Sequence, residues 1–363
     1  MIELTSNKRE ALKYIAEYYE NAQFNFYQIE KREFGIGLIK KIDARHLAFQ
    51  SVEQFRKYLL VNTPLFVSHS TAYYGYPAAT PIQKKGWGGA DIVFDLDMHA
   101  EGKYEVYKKL EEAKQDAIRL AEDFLKADFG IDEILYVFSG NRGYHLHIRD
   151  KNFIEIGGEE RKELVDYIRG NGLNYINFFE EREVPGRRIN QWIGPLPSEA
   201  GYRGKFARKV VQILREHPQE ISRKFKKEEE QRVVLEGIEK GNWSMLEGYK
   251  DKLAQYALEL PLTSVDTDAG VTQDLSKLIR VPNSIHGETG LVAKVVDTIN
   301  SFDPLKDAAL KEKGERIIQF IEDVPEIEFL DTTFGPFKKD KKNELPIAAA
   351  LFFVLKGSAD FIL

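Results

Sequence analysis

The segment Ala90-Asp-Ile-Val-Phe-Asp-Leu-Asp-Met-His99 limits the possible folds more than any other, because an apolar β-type run ends in two carboxylates. Side chains alternate along a strand, so Asp95 and Asp97 share one face while Phe94 and Leu96 pack the other. Two like charges held that close are costly unless a cation lies between them. Carboxylate oxygens suit hard divalent ions such as Mg²⁺ or Mn²⁺. Taken alone, an Asp-x-Asp pair is equally read as a strand-end cap or a solvated turn.

Two later segments bear on that choice. Residues 135–148, Leu-Tyr-Val-Phe-Ser-Gly-Asn-Arg-Gly-Tyr-His-Leu-His-Ile, form two β-rich runs around a Ser-Gly-Asn-Arg-Gly turn and predict a hairpin. The Gly140 and Gly143 backbones can approach an anion, Ser139 offers a hydroxyl, and Arg142 supplies a forked cation that matches phosphate oxygens. His145 and His147 alternate onto one face of the second run. The competing reading is a plain tight turn followed by two half-exposed histidines. Residues 271–290 then bring Asp274, Arg280 and His286, the last in a loop set by Pro282, Gly287 and Gly290. An aspartate ahead of a short amphipathic run is also a helix N-cap, and for Asp274 that remains open.

The pattern along the chain predicts an α/β fold, an α+β mixed-sheet core with an inserted helical subdomain. Helices are expected over residues 10–19 and 51–60, and strands over 32–38, 64–68 and 90–97. A charged amphipathic helix follows over 103–125. Residues 1–155 and 261–363 would form the discontinuous α/β domain, and 156–260, broken by glycine and proline, the helical insert. A helix is expected over 310–321, a linker over 322–346, and a packed helix or strand over 347–355, too short to cross a bilayer as a helix.

At 363 residues, 43% hydrophobic and 12% aromatic, the chain can bury a large core. It has no long apolar span and no signal-peptide pattern, so a soluble, intracellular protein of the cytoplasm or nucleoid is expected. The absence of cysteine excludes disulfides and cysteine-ligated zinc or iron–sulfur sites. The net charge of −6 confines any nucleic-acid binding to local basic patches, with candidates at 182–188, 203–209 and 223–227. For each run alone, a solvated helix face is the simpler reading.

Four ordered motifs carry a resemblance: Arg32-Glu-Phe34, Val93-Phe-Asp-Leu-Asp97, Ser139-Gly-Asn-Arg-Gly-Tyr-His145, and Asp274 with Arg280-Val-Pro-Asn-Ser-Ile-His286. Together they resemble the catalytic small subunit of the archaeal and eukaryotic type of DNA primase. The resemblance implies that Asp95, Asp97 and Asp274 bind two catalytic Mg²⁺ or Mn²⁺ ions. It implies that Ser139, Gly140, Arg142 and His145 hold the triphosphate of the incoming nucleotide, with Arg32, Arg280 and His286 also at the nucleotide site. At Asn141 many relatives carry a second basic residue. Many also carry a cysteine-rich zinc site after the acid motif, and no zinc is expected here. The implied partners are a single-stranded DNA template, NTPs or dNTPs, and a large subunit. The implied reaction is de novo synthesis of short RNA, or DNA, primers. A metal-dependent phosphodiesterase and a non-catalytic nucleic-acid scaffold are the alternatives.

Overall fold

Where the apolar runs are buried decides the architecture. In a computed structural model, which describes residues 6–38, 40–183, 190–262, 266–267 and 272–362, the strands in chain order are β1 Phe34–Gly37, β2 Ala44–Leu47, β3 Phe66–Ser70, β4 Ala72–Tyr74, β5 Trp87–Ala90 and β6 Ile92–Asp97. They continue as β7 Ile134–Phe138, β8 Gly143–Ile148, β9 Glu180–Arg182, β10 Gln191–Ile193, β11 Asp266–Thr267, β12 Leu278–Arg280 and β13 Val295–Val296. The last are β14 Glu315–Phe320, β15 Ile327–Phe329, β16 Thr332–Phe334, β17 Lys342–Pro346 and β18 Ala359–Phe361.

Two antiparallel sheets carry the motifs. One has five strands in the order β11-β6-β8-β7-β13, and the other four in the order β12-β3-β1-β2. Val93 on β6 packs against Ile279 on β12, and the His147 and His69 rings stack with centroids 6.5 Å apart. The sheets therefore meet through side chains of β6 and β8 on one side and of β3 and β12 on the other. Phe94 and Leu96 are fully buried on the opposite face of β6, leaving Asp95 and Asp97 as its partly open residues. Thr272, itself buried, donates its hydroxyl to the Val93 carbonyl at 2.9 Å and ties the chain before β12 to β6.

The chain forms two compact units, one of Met1–Ile118, Glu133–Lys162 and Val265–Leu363, the other of Arg119–Asp132 and Glu163–Ser264. The second unit is built on the helices Gly201–Glu216, Glu228–Glu239 and Lys250–Leu258 around fully buried Phe206 and Trp243. It also holds the β9–β10 ribbon, which the helical pattern did not anticipate. Residues 105–129 are continuously helical, passing from a 3-10 turn through an α-helix into a π-helical stretch. Of the basic run 182–188, residues 184–188 lie outside the described residues.

Two expectations are corrected near the C-terminus. The residues expected to form a helix over 310–321 contain strand β14, in which Ile318 and Phe320 are buried at the two-residue spacing of a strand. The expected linker holds β15, β16 and the whole of β17, and β17 pairs with β14. Residues Ile347–Leu355 form a helix buried along nearly its whole length. No helix among the described residues is long and apolar enough to cross a membrane.

Candidate active site

The pairing of β6 with β8 builds the site. Its register sets Asp95 opposite His145 and Asp97 opposite Gly143. A side chain at position 143 would overlap the Leu96 carbonyl oxygen, so glycine lets the two backbones close up where the carboxylates emerge. Arg142, next along the turn, donates from Nη2 to Asp97 Oδ2 at 2.7 Å, and His145 Nε2 lies 3.5 Å from Asp95 Oδ1. The side chains of Asp95 and Asp97 are 21% and 27% exposed, so both carboxylates reach solvent.

The hairpin turn is held from within. Ser139 Oγ accepts from the amides of Asn141 at 3.4 Å and Gly143 at 3.2 Å. Gly140 adopts φ +82, and a Cβ there would stand 2.8 Å from the Cβ of His286. The Thr289 hydroxyl donates to the Gly140 carbonyl at 2.6 Å, clamping the 282–290 loop onto the turn. His286 is thereby brought beside the hairpin. Its Nδ1 accepts from the Glu288 amide at 3.2 Å, which leaves Nε2 as the protonated nitrogen of a neutral ring. Burial, and after it the charge of Arg280, pushes its pKa well below the usual histidine range. Asn141 accepts at Oδ1 from the Tyr107 hydroxyl at 3.0 Å.

Arg280, the last residue of β12, completes the electrostatics. Burial lowers its guanidinium to about 10, against the pull of Tyr19, Glu288, Asp95 and Asp97. Its Nη1 is buried without a hydrogen-bond acceptor among the described residues. A buried cationic donor left without an acceptor is costly, and an anion bound beside the carboxylates would remove that cost.

Two expected members stand apart. Arg32 is fully buried, with Nη1 donating to the carbonyls of Ser70 at 2.9 Å and Thr71 at 2.6 Å. Its Nη2 donates to Tyr73 Oη and Asp91 Oδ2, both at 2.7 Å, so this arginine sits in an internal network. Asp274 is exposed and accepts at Oδ1 from the amide of Ser276 at 2.8 Å and its hydroxyl at 2.7 Å. No group of three or more histidine or carboxylate side chains placed to hold a metal stands together among the described residues, and Asp274 does not complete one with Asp95 and Asp97. The backbone register instead sets Asp266 of β11 opposite Asp97.

Residues 94–298 match the family model of the DNA primase small subunit. The chain is 33% identical over 323 residues to the DNA primase small subunit PriS of Archaeoglobus fulgidus, covering 87% of this chain and 86% of that protein. This chain belongs to the DNA primase small subunit family. It is also 31% identical to PriS of Methanothrix thermoacetophila over 87% of this chain, and 33% identical to PriS of Methanocaldococcus jannaschii over 80%.

In this primase small subunit several supporting residues escaped the sequence reading. Thr289 and Tyr107 act through contacts distant in sequence, and no local pattern marks them. Asp266 did carry a signal, since Asp266-Thr-Asp268 repeats the Asp-x-Asp spacing, although Asp268 lies outside the described residues.

His147 has a structural consequence. It is buried between His145 and His69, and neither of its ring nitrogens has a hydrogen-bond partner among the described residues. Burial lowers the pKa of His69 to about 3 and that of His147 well below the usual histidine range. A group whose folded pKa is lowered contributes stability that is fully present above the unfolded value. That contribution is lost as pH falls from about 6.5 towards the folded value. The melting temperature is therefore expected to drop between pH 7.5 and pH 4.5, and to drop less in His147→Leu, which removes the buried polar ring. An equal drop in both proteins, followed by circular dichroism, would show that this imidazole does not set the acid sensitivity.

Proposed function

We propose that this chain is the catalytic subunit of a DNA primase, which joins nucleotides on a single-stranded DNA template to make short primers de novo. The observation that carries this reading is the pairing of Asp95 and Asp97 with an anion-ready surround: the Ser139–Gly143 turn, Arg142, and the unpaired Arg280 Nη1. A phosphodiesterase needs the carboxylates but has less use for cations arranged to receive a triphosphate.

The donor set fits divalent metal. Two carboxylates on one strand face, each part-exposed, supply the oxygens that Mg²⁺ or Mn²⁺ prefers. Bound there, such ions would supply Lewis acidity to the attacking 3′-hydroxyl and the departing pyrophosphate. The chain's own residues do the rest. Arg142 and Arg280 neutralise triphosphate charge as it builds on the leaving oxygens. Gly140 and Gly143 let the turn pack tightly against the 282–290 loop and β6, which fixes where Arg142 and His145 stand. His286 presents Nε2–H as a neutral donor, and neutral His145 orients Asp95. Burial lowers the pKa of His145 to about 4, so it adds no competing cation at neutral pH.

The third carboxylate is proposed to come from Asp266-Thr-Asp268, on the strength of the β11–β6 register, in place of Asp274. Converting both Asp266 and Asp268 to asparagine should lower synthesis at least about 100-fold, while Asp274→Asn should retain activity within about tenfold. The opposite ranking in steady-state rates would return Asp274 to the metal site.

A large subunit as partner and NTPs or dNTPs as substrates are part of the same proposal. The test is synthesis from labelled nucleotides on unprimed single-stranded DNA with Mg²⁺ or Mn²⁺, with and without the large subunit. Short products are expected. Degradation of the template without synthesis would favour a phosphodiesterase.

A further inference from the structure

The hairpin of β4 and β5 carries side chains that nucleotidyl transfer does not use. Tyr74 pairs with Trp87 across it, and it extends outward through Gly75 N to Gly86 O and Tyr76 N to Lys85 O, both 2.8 Å. Its inner side is anchored. Lys85 is fully buried, lies 3.4 Å from Glu33 Oε2, donates to the Pro77 carbonyl and sits 5.4 Å from the Tyr74 ring centroid. Two of its aromatic side chains stand open to solvent, Tyr76 at 72% and Trp87 at 42% exposed.

Between these two aromatics the backbone is bare. Gly75, Gly86 and Gly88 are all exposed. Gly86 is required by its φ of +65, but Gly75 and Gly88 are not required by packing. A Cβ at Gly75 would have its nearest neighbour at 3.8 Å and one at Gly88 at 3.6 Å, which is ordinary contact. The fold therefore tolerates side chains at two positions where the chain has none. Beside the ribbon lies a hollow of about 470 Å³ lined by Glu30, Lys31, Gln50, Tyr74 and Tyr76. Lys84 is exposed in the turn that closes the ribbon.

We infer that the β4–β5 ribbon is a stacking platform for single-stranded nucleic acid, with bases lying against Tyr76 and Trp87 and the strand passing over Gly75 and Gly88. Exposed aromatic side chains, a backbone bare of side chains and flanking cations at Lys31 and Lys84 match unpaired bases on a phosphate chain. A folded protein partner would need no such bare backbone. The ribbon also leads straight to the carboxylates. From Trp87 the chain runs through Asp91, fixed by Arg32, into β6, so at about 3.3 Å per residue Asp95 lies within roughly 26 Å. That the occupant is a template rests on the transfer reading above.

The full chain, without nucleotide or metal, is titrated with oligothymidylate while tryptophan emission is followed. Trp87 is the exposed one of three tryptophans, Trp192 and Trp243 being buried, so it reports stacking. Quenching is expected. Tyr76→Ala should weaken binding roughly 5- to 150-fold, and Tyr76→Phe should restore it. Trp87→Phe should lose the quench but keep most of the affinity. Wild-type affinity in both Tyr76→Ala and Trp87→Ala, or no quench on binding, overturns the platform. Because the assay contains no nucleotide, those results together with intact primer synthesis would remove the platform and leave the transfer reading standing. Normal binding with no synthesis under any condition would do the reverse.

Discussion

Replacing Asp95 or Asp97 with asparagine is expected to lower primer synthesis by on the order of 10³-fold or more with little change in stability. Asparagine keeps the shape of aspartate and removes its charge, so the strand can pack as before while hard-cation affinity collapses. Lewis-acid stabilisation of the transferring phosphoryl group is worth several kcal/mol, and each ~1.4 kcal/mol is tenfold in rate. The structural cost is small by comparison. Asp97 pairs with Arg142 at 2.7 Å, but both side chains are partly exposed and such pairs contribute about 1 kcal/mol or less. Single-turnover rates and melting curves on the same samples separate the two effects. Rates within tenfold of wild type in both variants would remove the carboxylate pair from the mechanism.

Gly143→Ala should be damaging in a different way, losing both stability and synthesis. The new methyl group would overlap the Leu96 carbonyl oxygen, 2.7 Å from the carbonyl carbon and 2.9 Å from the Asp97 Cα. All three are backbone atoms, so no side-chain rotation relieves the clash. The strands must part at the residue pair that positions Asp97, and the cost is expected to exceed about 3 kcal/mol. Gly75→Ala is the internal control, since its methyl group meets nothing closer than 3.8 Å. Urea unfolding should show a large shift for the first variant and almost none for the second. Equal stability in the two would mean that β6 and β8 do not approach as closely as described.

The central strand and the hairpin were legible in the sequence because each carries its own signal. Phe94 and Leu96 alternate with the two acids, and Gly140 and Gly143 punctuate two β-rich runs. The C-terminal strands lacked such a signal. Ile317, Ile318, Phe320 and Ile321 suit either a strand or a helix period, and it is their pairing with β17 and β18 that makes β14 extended. The β15–β16 turn places Leu330 at φ +54 and Asp331 at φ +58, conformations usually marked by glycine or asparagine, so nothing announced the hairpin. In the site, residue type indicated chemistry but not the partner. The resemblance placed Arg32 at the nucleotide site, yet the anion it meets is buried Asp91. Asp274 precedes a turn and an extended strand rather than the helix that an N-cap reading supposes, and it accepts from Ser276 within that turn. The acid opposite Asp97 sits on a strand of two residues, too short for any periodicity to reveal.

The most direct test of the central claim is metal binding itself. Mn²⁺ is titrated into the chain with a non-reactive nucleoside triphosphate present, and bound ions are counted by electron paramagnetic resonance. Wild type is expected to bind two ions, and the Asp95→Asn/Asp97→Asn protein is expected to lose both, with its melting temperature within a few degrees of wild type. Undiminished Mn²⁺ binding by the doubly substituted protein would contradict the assignment of these carboxylates as the metal site.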